Sequence, residues 1–211
     1  AAKSLPGRVA AYPLDVTVPA GAGATIERIE ADLGPIDLAI LNAGSHIPVD
    51  VDAFNPAVFR KLFDVNVMGV VHGLAAVLPR MLARKRGRIA VVSSVAGYRG
   101  LPTAAAYGAT KAALINMCES LKPELDGRGV AISVVCPGFV RTPLTDRNPF
   151  PMPFLIEPEE AAARILRGLR RGQFEIAFPR RFTWWLKLAR CLPYWLYYAI
   201  TRRLVKQHAG R

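Results

Sequence analysis

The chain has 211 residues, 52% of them hydrophobic, and 28 Lys/Arg against 16 Asp/Glu for a formal net charge of +12. That much apolar material builds one folded domain with a sizeable core and excludes an intrinsically disordered chain. Three dispersed cysteines, Cys118, Cys136 and Cys191, exclude a disulfide framework and a clustered metal site, so no metal and a reducing, cytoplasmic setting are expected.

In chain order, short apolar runs alternate with longer helical patterns. Strands are predicted at Arg8–Asp15, Ile36–Asn42, Arg88–Ser93, Val130–Cys136 and Phe174–Phe178. Their interiors (LAIL, IAVV, AISVV) are almost continuously apolar, as strands buried on both faces should be. Helices are predicted over 21–33, over 55–84 as one long element, over 104–126 and over 157–171. The last begins with Pro and Glu and ends in Arg, which suits the helix dipole. The connection 141–156 holds Pro143, Pro149, Pro151 and Pro153 and is too proline-rich for a helix. No run long and apolar enough for a spanning helix is free of charge, so none is expected. The pattern predicts an α/β fold, a doubly wound parallel sheet with helices on both faces. One domain over 1–180 is expected, followed by a basic aromatic extension over 181–211.

Sheets of this kind bind ligands beyond the carboxyl ends of their strands, so the residues just after each strand carry the interest. These are Asp15 and Val16, then Asn42, Ala43 and Gly44, then Ser94, then Pro137 and Gly138. After the third predicted strand the chain reads SSVAGYRGLPTAAAYGATK. Tyr107 and Lys111 are one helical turn apart and share a face. An ammonium near a phenol favours the phenolate and lowers the pKa from its reference near ~10, as a general acid/base requires. A Tyr-x-x-x-Lys pair alone arises by chance in many helices. Ser94, 13 residues before Tyr107 at a strand end, gives the pair a partner.

Taken together, these segments resemble the short-chain dehydrogenase/reductase family of Rossmann-type oxidoreductases. LDVT (14–17), LNAG (41–44), NVMG (66–69), SS…YGATK (93–111) and PGFVRT (137–142) follow the family's order and spacing. The resemblance implies a hydride transfer between NAD or NADP and a small carbonyl or alcohol substrate. It implies that Tyr107 is the general acid/base and Ser94 orients the substrate oxygen. Lys111 would bind the nicotinamide ribose and lower the Tyr107 pKa, and Asn66 would hold a water that relays protons to Lys111. Asp15, Val16, Asn42, Ala43, Gly44, Tyr107, Lys111, Pro137, Gly138, Val140 and Thr142 are the implied cofactor contacts.

Plainer roles remain open for several of them. Asn42 could brace a strand end, Asn66 could kink its helix, and Thr142 could be an ordinary loop hydroxyl. Ser93 is expected to satisfy backbone, and His46 and His72 to be structural or at the surface. Phe139, Phe150, Met152, Phe154 and Leu155, in or beside the proline-rich loop, point to an apolar substrate. A homodimer or homotetramer is the assembly the family implies.

The family opens with a glycine-rich TGxxxGxG turn for the cofactor pyrophosphate, and none of the 211 residues form one. The first βαβ unit is therefore expected to be missing from this chain. The alternative is a non-catalytic binding or scaffold protein that keeps the fold. The tail RRFTWWLKLARCLPYWLYYAITRRLVKQH holds all three Trp, three of the six Tyr and no acid. Pro193 is expected to divide it into two helices. Contact of 181–208 with a membrane surface and packing as a lid or subunit interface are both open; nucleic acid is not expected, since no binding motif accompanies the charge.

Overall fold

The most continuously apolar runs pair with one another because such strands need cover on both faces. In the computed structural model, which describes residues 7–143, 145 and 152–209, four strands form one parallel sheet. They are β1 (Leu38–Leu41), β2 (Gly87–Val92), β3 (Val130–Pro137) and β4 (Glu175–Phe178), neighbours in that order. Leu38 stands opposite Arg88, Gly87 opposite Val130 and Val134 opposite Glu175.

Each parallel step needs a helical crossover. Helix α1 (Pro19–Leu33) precedes β1; α2 (Pro56–Phe63) and α3 (Gly69–Arg84) join β1 to β2; α4 (Ala105–Asp126) joins β2 to β3; α5 (Pro158–Arg170) joins β3 to β4. Two further helices, α6 (Arg180–Arg190) and α7 (Tyr194–Ala209), follow β4 and are separated at Pro193. Local signals explain the starts. Pro occupies the first turn of α1, α2 and α5, and the Asn55 side chain accepts the Ala57 amide at 2.9 Å to cap α2.

Alternate strand residues face opposite layers. Ile89, Val91, Ile132 and Val134 meet α3 (Val70, Leu74, Val77, Met81) and α4 (Leu114, Cys118, Leu125) in the larger core. Ala90, Val135, Ile176 and Phe178 meet Ala161 and Leu169 of α5 on the other face. The helical stretch Pro56–Arg84 is long and apolar enough to cross a membrane by length and composition alone. Its Val70, Leu74, Val77 and Met81 are buried against the sheet, so here it works as a core helix.

Two expectations need correction. Arg8–Asp15 forms no strand, because among the described residues no strand lies beside it to take up its backbone hydrogen bonds. Side chains hold it instead. The Tyr12 hydroxyl donates to Asp32 at 2.7 Å, Arg28 stacks on the Tyr12 ring, and the Val16 carbonyl sits 2.9 Å from His72 Nδ1. The predicted single helix over 55–84 is interrupted by a π-helical turn, Asp64–Met68, which turns Asn66 inward. On the outer side, β1 has no strand neighbour among the described residues, and Leu38 and Ile40 are 38% and 44% exposed.

The turn into β3 depends on Gly129. Its φ is +73°, and a Cβ there would stand 2.1 Å from the Lys85 carbonyl oxygen, which is backbone and cannot swing away. Gly129→Ala is therefore expected to cost about 2 kcal/mol or more. Urea denaturation would show this as a lower midpoint at unchanged slope.

Candidate active site

The site grows from the carboxyl end of β2. The Ser93 amide still donates to Val135 at 2.8 Å, and the Ser93 hydroxyl donates to the Lys111 carbonyl at 2.8 Å, so Ser93 serves the backbone. Ser94 is extended, and its hydroxyl accepts the Ala96 amide at 3.2 Å to cap a short 3₁₀ turn, Val95–Gly97. That turn crosses α4 so closely that a Cβ on Gly97 would lie 2.7 Å from the Lys111 carbonyl carbon. Only glycine lets strand end and helix approach this far.

Helix α4 then presents Tyr107 and Lys111 one turn apart. Lys111 is 4% exposed, and its ammonium donates to the Val92 carbonyl at 2.9 Å. Burial lowers its pKa from 10.5 to about 8, and a weaker effect of Cys136 opposes this. Tyr107 is half-buried, and the Ser94 side chain stands beside its hydroxyl. Burial raises the phenol pKa, and the nearby Ser94 offsets only part of that. This reverses the expected direction: the Lys111 ammonium lies 5.6 Å from the centre of the Tyr107 ring and bonds to Val92 rather than to the phenol.

Asn66 is fully buried in the π turn. Its Oδ1 accepts the Ser45 amide at 2.7 Å; its Nδ2 donates to the Ser45 carbonyl at 2.9 Å and to Thr110 Oγ1 at 3.0 Å. The loop after β1 is thereby strapped onto α4. A Cβ on Gly44 in that loop would come 3.4 Å from the Lys111 ammonium and 3.5 Å from Asn66 Oδ1, so the three groups are neighbours.

The structure thus brings together Asn66, Ser94, Tyr107, Lys111 and Gly44. Asn42 and Ala43 are exposed beside Gly44 at the carboxyl edge of the sheet. Val16 lies against Gly69 and His72 of α3, and the Asp15 carboxylate accepts the Thr17 amide and hydroxyl; those bonds lower its pKa. Pro137 ends β3, and the Gly138 amide donates to the Phe178 carbonyl at 2.7 Å. Val140 bridges to Ile156, and the Thr142 amide donates to the Thr145 hydroxyl at 2.9 Å. Phe150 lies outside the described residues. Met152 and Leu155 are partly buried in the loop, while Phe154 is 55% exposed.

Sequence reasoning missed two members. Thr110 is fully buried; its hydroxyl donates to the Tyr107 carbonyl at 2.7 Å and accepts Asn66. Its signal was available, a lone hydroxyl between Tyr107 and Lys111 in an alanine-rich helix. His46, expected to be structural or at the surface, stands edge-on to the Tyr107 ring at 4.9 Å, with its pKa lowered by burial. Behind the site, burial pushes the Cys136 thiol up to about 12. No group of three or more His, Cys, Asp or Glu able to hold a metal ion occurs among the described residues.

A model of the short chain dehydrogenase family matches residues 1–149. An uncharacterized oxidoreductase of Myxococcus xanthus is 43% identical over 194 residues, 90% of this chain and 76% of that protein. The chain belongs to the short-chain dehydrogenase family. Within it, the 3-oxoacyl-acyl-carrier-protein reductase FabG of Thermotoga maritima is 33% identical over 78% of this chain and 71% of its own length. A gluconate 5-dehydrogenase from Burkholderia cenocepacia, solved with NADP and tartrate, is 33% identical with a TM-score of 0.60, over 63% of this chain and 52% of that one. A short-chain dehydrogenase from Streptomyces avermitilis, 22% identical, shares the fold at a TM-score of 0.76 over 98% of this chain and 83% of its own.

The family member's buried lysine gives a pH signature. The unfolded lysine titrates near 10.5 and the folded one near 8, so between these values the unfolded chain holds more protons. Stability is expected to rise with pH through that window by up to about 3 kcal/mol, and to be lowest and flat, as far as Lys111 is concerned, below about 8. Lys111→Met is expected to unfold at no lower a temperature at neutral pH and to lose this rise. Urea titrations of both proteins across the window would measure the difference.

Proposed function

We propose that the protein interconverts a carbonyl and an alcohol with NAD or NADP, and that Tyr107 handles the proton. The observation that carries the proposal is the Tyr107 phenol set beside the Ser94 side chain and a buried ammonium. Two hydroxyls that meet at one point address one substrate oxygen. In reduction, Tyr107 gives its proton to that oxygen and Ser94 holds the oxygen in line; in oxidation, Tyr107 removes it. The raised pKa of the buried phenol keeps Tyr107 protonated at neutral pH, in the form that donates during reduction.

The residues present fit the nicotinamide end of such a cofactor. Lys111 spends one ammonium proton on Val92 and has two more to give to ribose hydroxyls. Gly44, with no side chain, leaves the approach past Lys111 and Asn66 free. Asn42, Ala43, Pro137 and Gly138 stand at the same strand ends, and Val140 and Thr142 follow in the loop after β3. The cofactor supplies the hydride when bound, and these residues supply position and electrostatics. The gluconate 5-dehydrogenase neighbour, solved with NADP, supports the reading. Asn66, with its amide committed to Ser45 and Thr110, acts by fixing the Ser45 loop against α4.

An apolar substrate is the better match. Phe139 and Phe154 each lie 6.0 Å, centre to centre, from Phe182 of α6, and they wall the loop beyond Gly138 with rings. His46 at the Tyr107 ring edge is a polar neighbour of the phenol.

Tyr107→Phe removes only the hydroxyl. It is expected to keep NADH or NADPH binding, read by cofactor fluorescence, and to lose about a hundredfold or more in kcat/KM on a panel of apolar ketones and aldehydes. Undiminished turnover in that variant would assign the proton to another group.

A further inference from the structure

Helices α6 and α7 turn large aromatic side chains outward. Trp184, Trp185 and Trp195 are 60%, 63% and 74% exposed, with Leu188, Tyr194 and Tyr198 beside them. On α6, positions 184, 185 and 188 share one side of the helix. Soluble folds leave single apolar residues at the surface, whereas a grouped aromatic face marks an interaction surface.

The charge around it is of one sign. Residues 180–211 contain no Asp or Glu. Next to Trp184, a groove of about 760 Å³ between α5, β4 and α6 is lined by Arg164, Arg167, Arg171, Arg180, Arg181 and Lys187. Its two carboxylates are already engaged, Glu160 with Arg164 and Glu175 with Lys187. Arg167, Arg171, Arg180 and Arg181 have no carboxylate partner among the described residues.

This surface is also preformed. Arg99 Nη1 donates to the carbonyls of Ala189, Arg190 and Leu192 and so caps α6. The same guanidinium lies 3.9 Å from the centre of the Tyr197 ring and 5.2 Å from that of Tyr194, and the Tyr197 hydroxyl donates to the Gly100 carbonyl. Both tail helices are thus fastened to the loop that begins at Ser94. Tryptophan and tyrosine rings settle at the headgroup level of a bilayer, and arginines reach its phosphates. A second copy of the chain would bring the same unpaired arginines against these, which repels.

We propose that the outer face of α6 and α7, with the arginine groove beside it, docks the protein on an anionic phospholipid bilayer. Phe154 lines the same groove as Trp184, and its ring meets Phe182 of α6, so docking places this ring of the loop next to the lipid.

The test is flotation of the protein with vesicles of phosphatidylcholine alone and of phosphatidylcholine with phosphatidylglycerol. The protein is expected to float with the anionic vesicles only, to be released by high salt, and to show blue-shifted tryptophan emission. Trp184→Ala/Trp185→Ala/Trp195→Ala changes exposed side chains only and is expected to bind about tenfold or more weakly at an unchanged Tm. Arg180→Gln/Arg181→Gln keeps the aromatics and is expected to weaken binding to anionic vesicles in the same direction. Equal flotation of the wild type and both variants, or no flotation of the wild type, would overturn the proposal. So would a wild-type dimer in sedimentation velocity that the tryptophan variant dissociates without any vesicle binding, since that assigns the face to a second copy.

Discussion

A buried ammonium organises the carboxyl edge of this sheet. Taking the Lys111 charge out of water is costly, and the neighbouring features make that cost bearable. The Val92 carbonyl, at the last residue of β2, points at it; Gly97 lets the chain pass close enough to hold the helix in place; Ser93 and Thr110 satisfy backbone carbonyls of α4. Among the described residues no buried side-chain nitrogen or oxygen lacks a hydrogen-bond partner. The destabilisation that remains on Lys111 sits one helical turn from the Tyr107 phenol.

The same edge shows how fold and chemistry divide the labour. The strands and α3, α4 and α5 supply a rigid frame in which every side chain near Lys111 has a structural duty as well as a chemical surroundings to create. Asn66 illustrates this: the π turn makes it reach across to Ser45 and Thr110, so the loop after β1 and the helix bearing Tyr107 cannot drift apart. Ser94 likewise caps its own turn while it meets the phenol.

Much of this was legible in the sequence because it rests on local patterns. Three of the four pairing strands were visible as almost continuous apolar runs, and the start of α5 as a proline and acidic signal. The Ser94, Tyr107 and Lys111 spacing placed three groups on one strand end and one helix face. What escaped were consequences of distance. The Arg8–Asp15 run has strand character, but a strand also needs a neighbour, and nothing local says whether one stands beside it. The direction of the Tyr107 shift depends on burial and on where the Lys111 ammonium points, neither of which spacing reveals. Thr110 and Gly97 matter through a helix crossing a turn, and His46 through a loop folded back over a ring.

The open side of β1 has a bearing on how this protein behaves at high concentration. β4 is flanked by α6 and its carboxyl end is capped by the turn into Pro179, whereas β1 offers its outer backbone groups and the side chains of Leu38 and Ile40 without cover among the described residues. A strand paired on one side only can add a neighbour on the other. Extended peptide laid along Leu38–Leu41 would continue the hydrogen-bond ladder and bury two exposed aliphatic side chains in the same act. A charge or a proline within Leu38–Leu41 would block that addition.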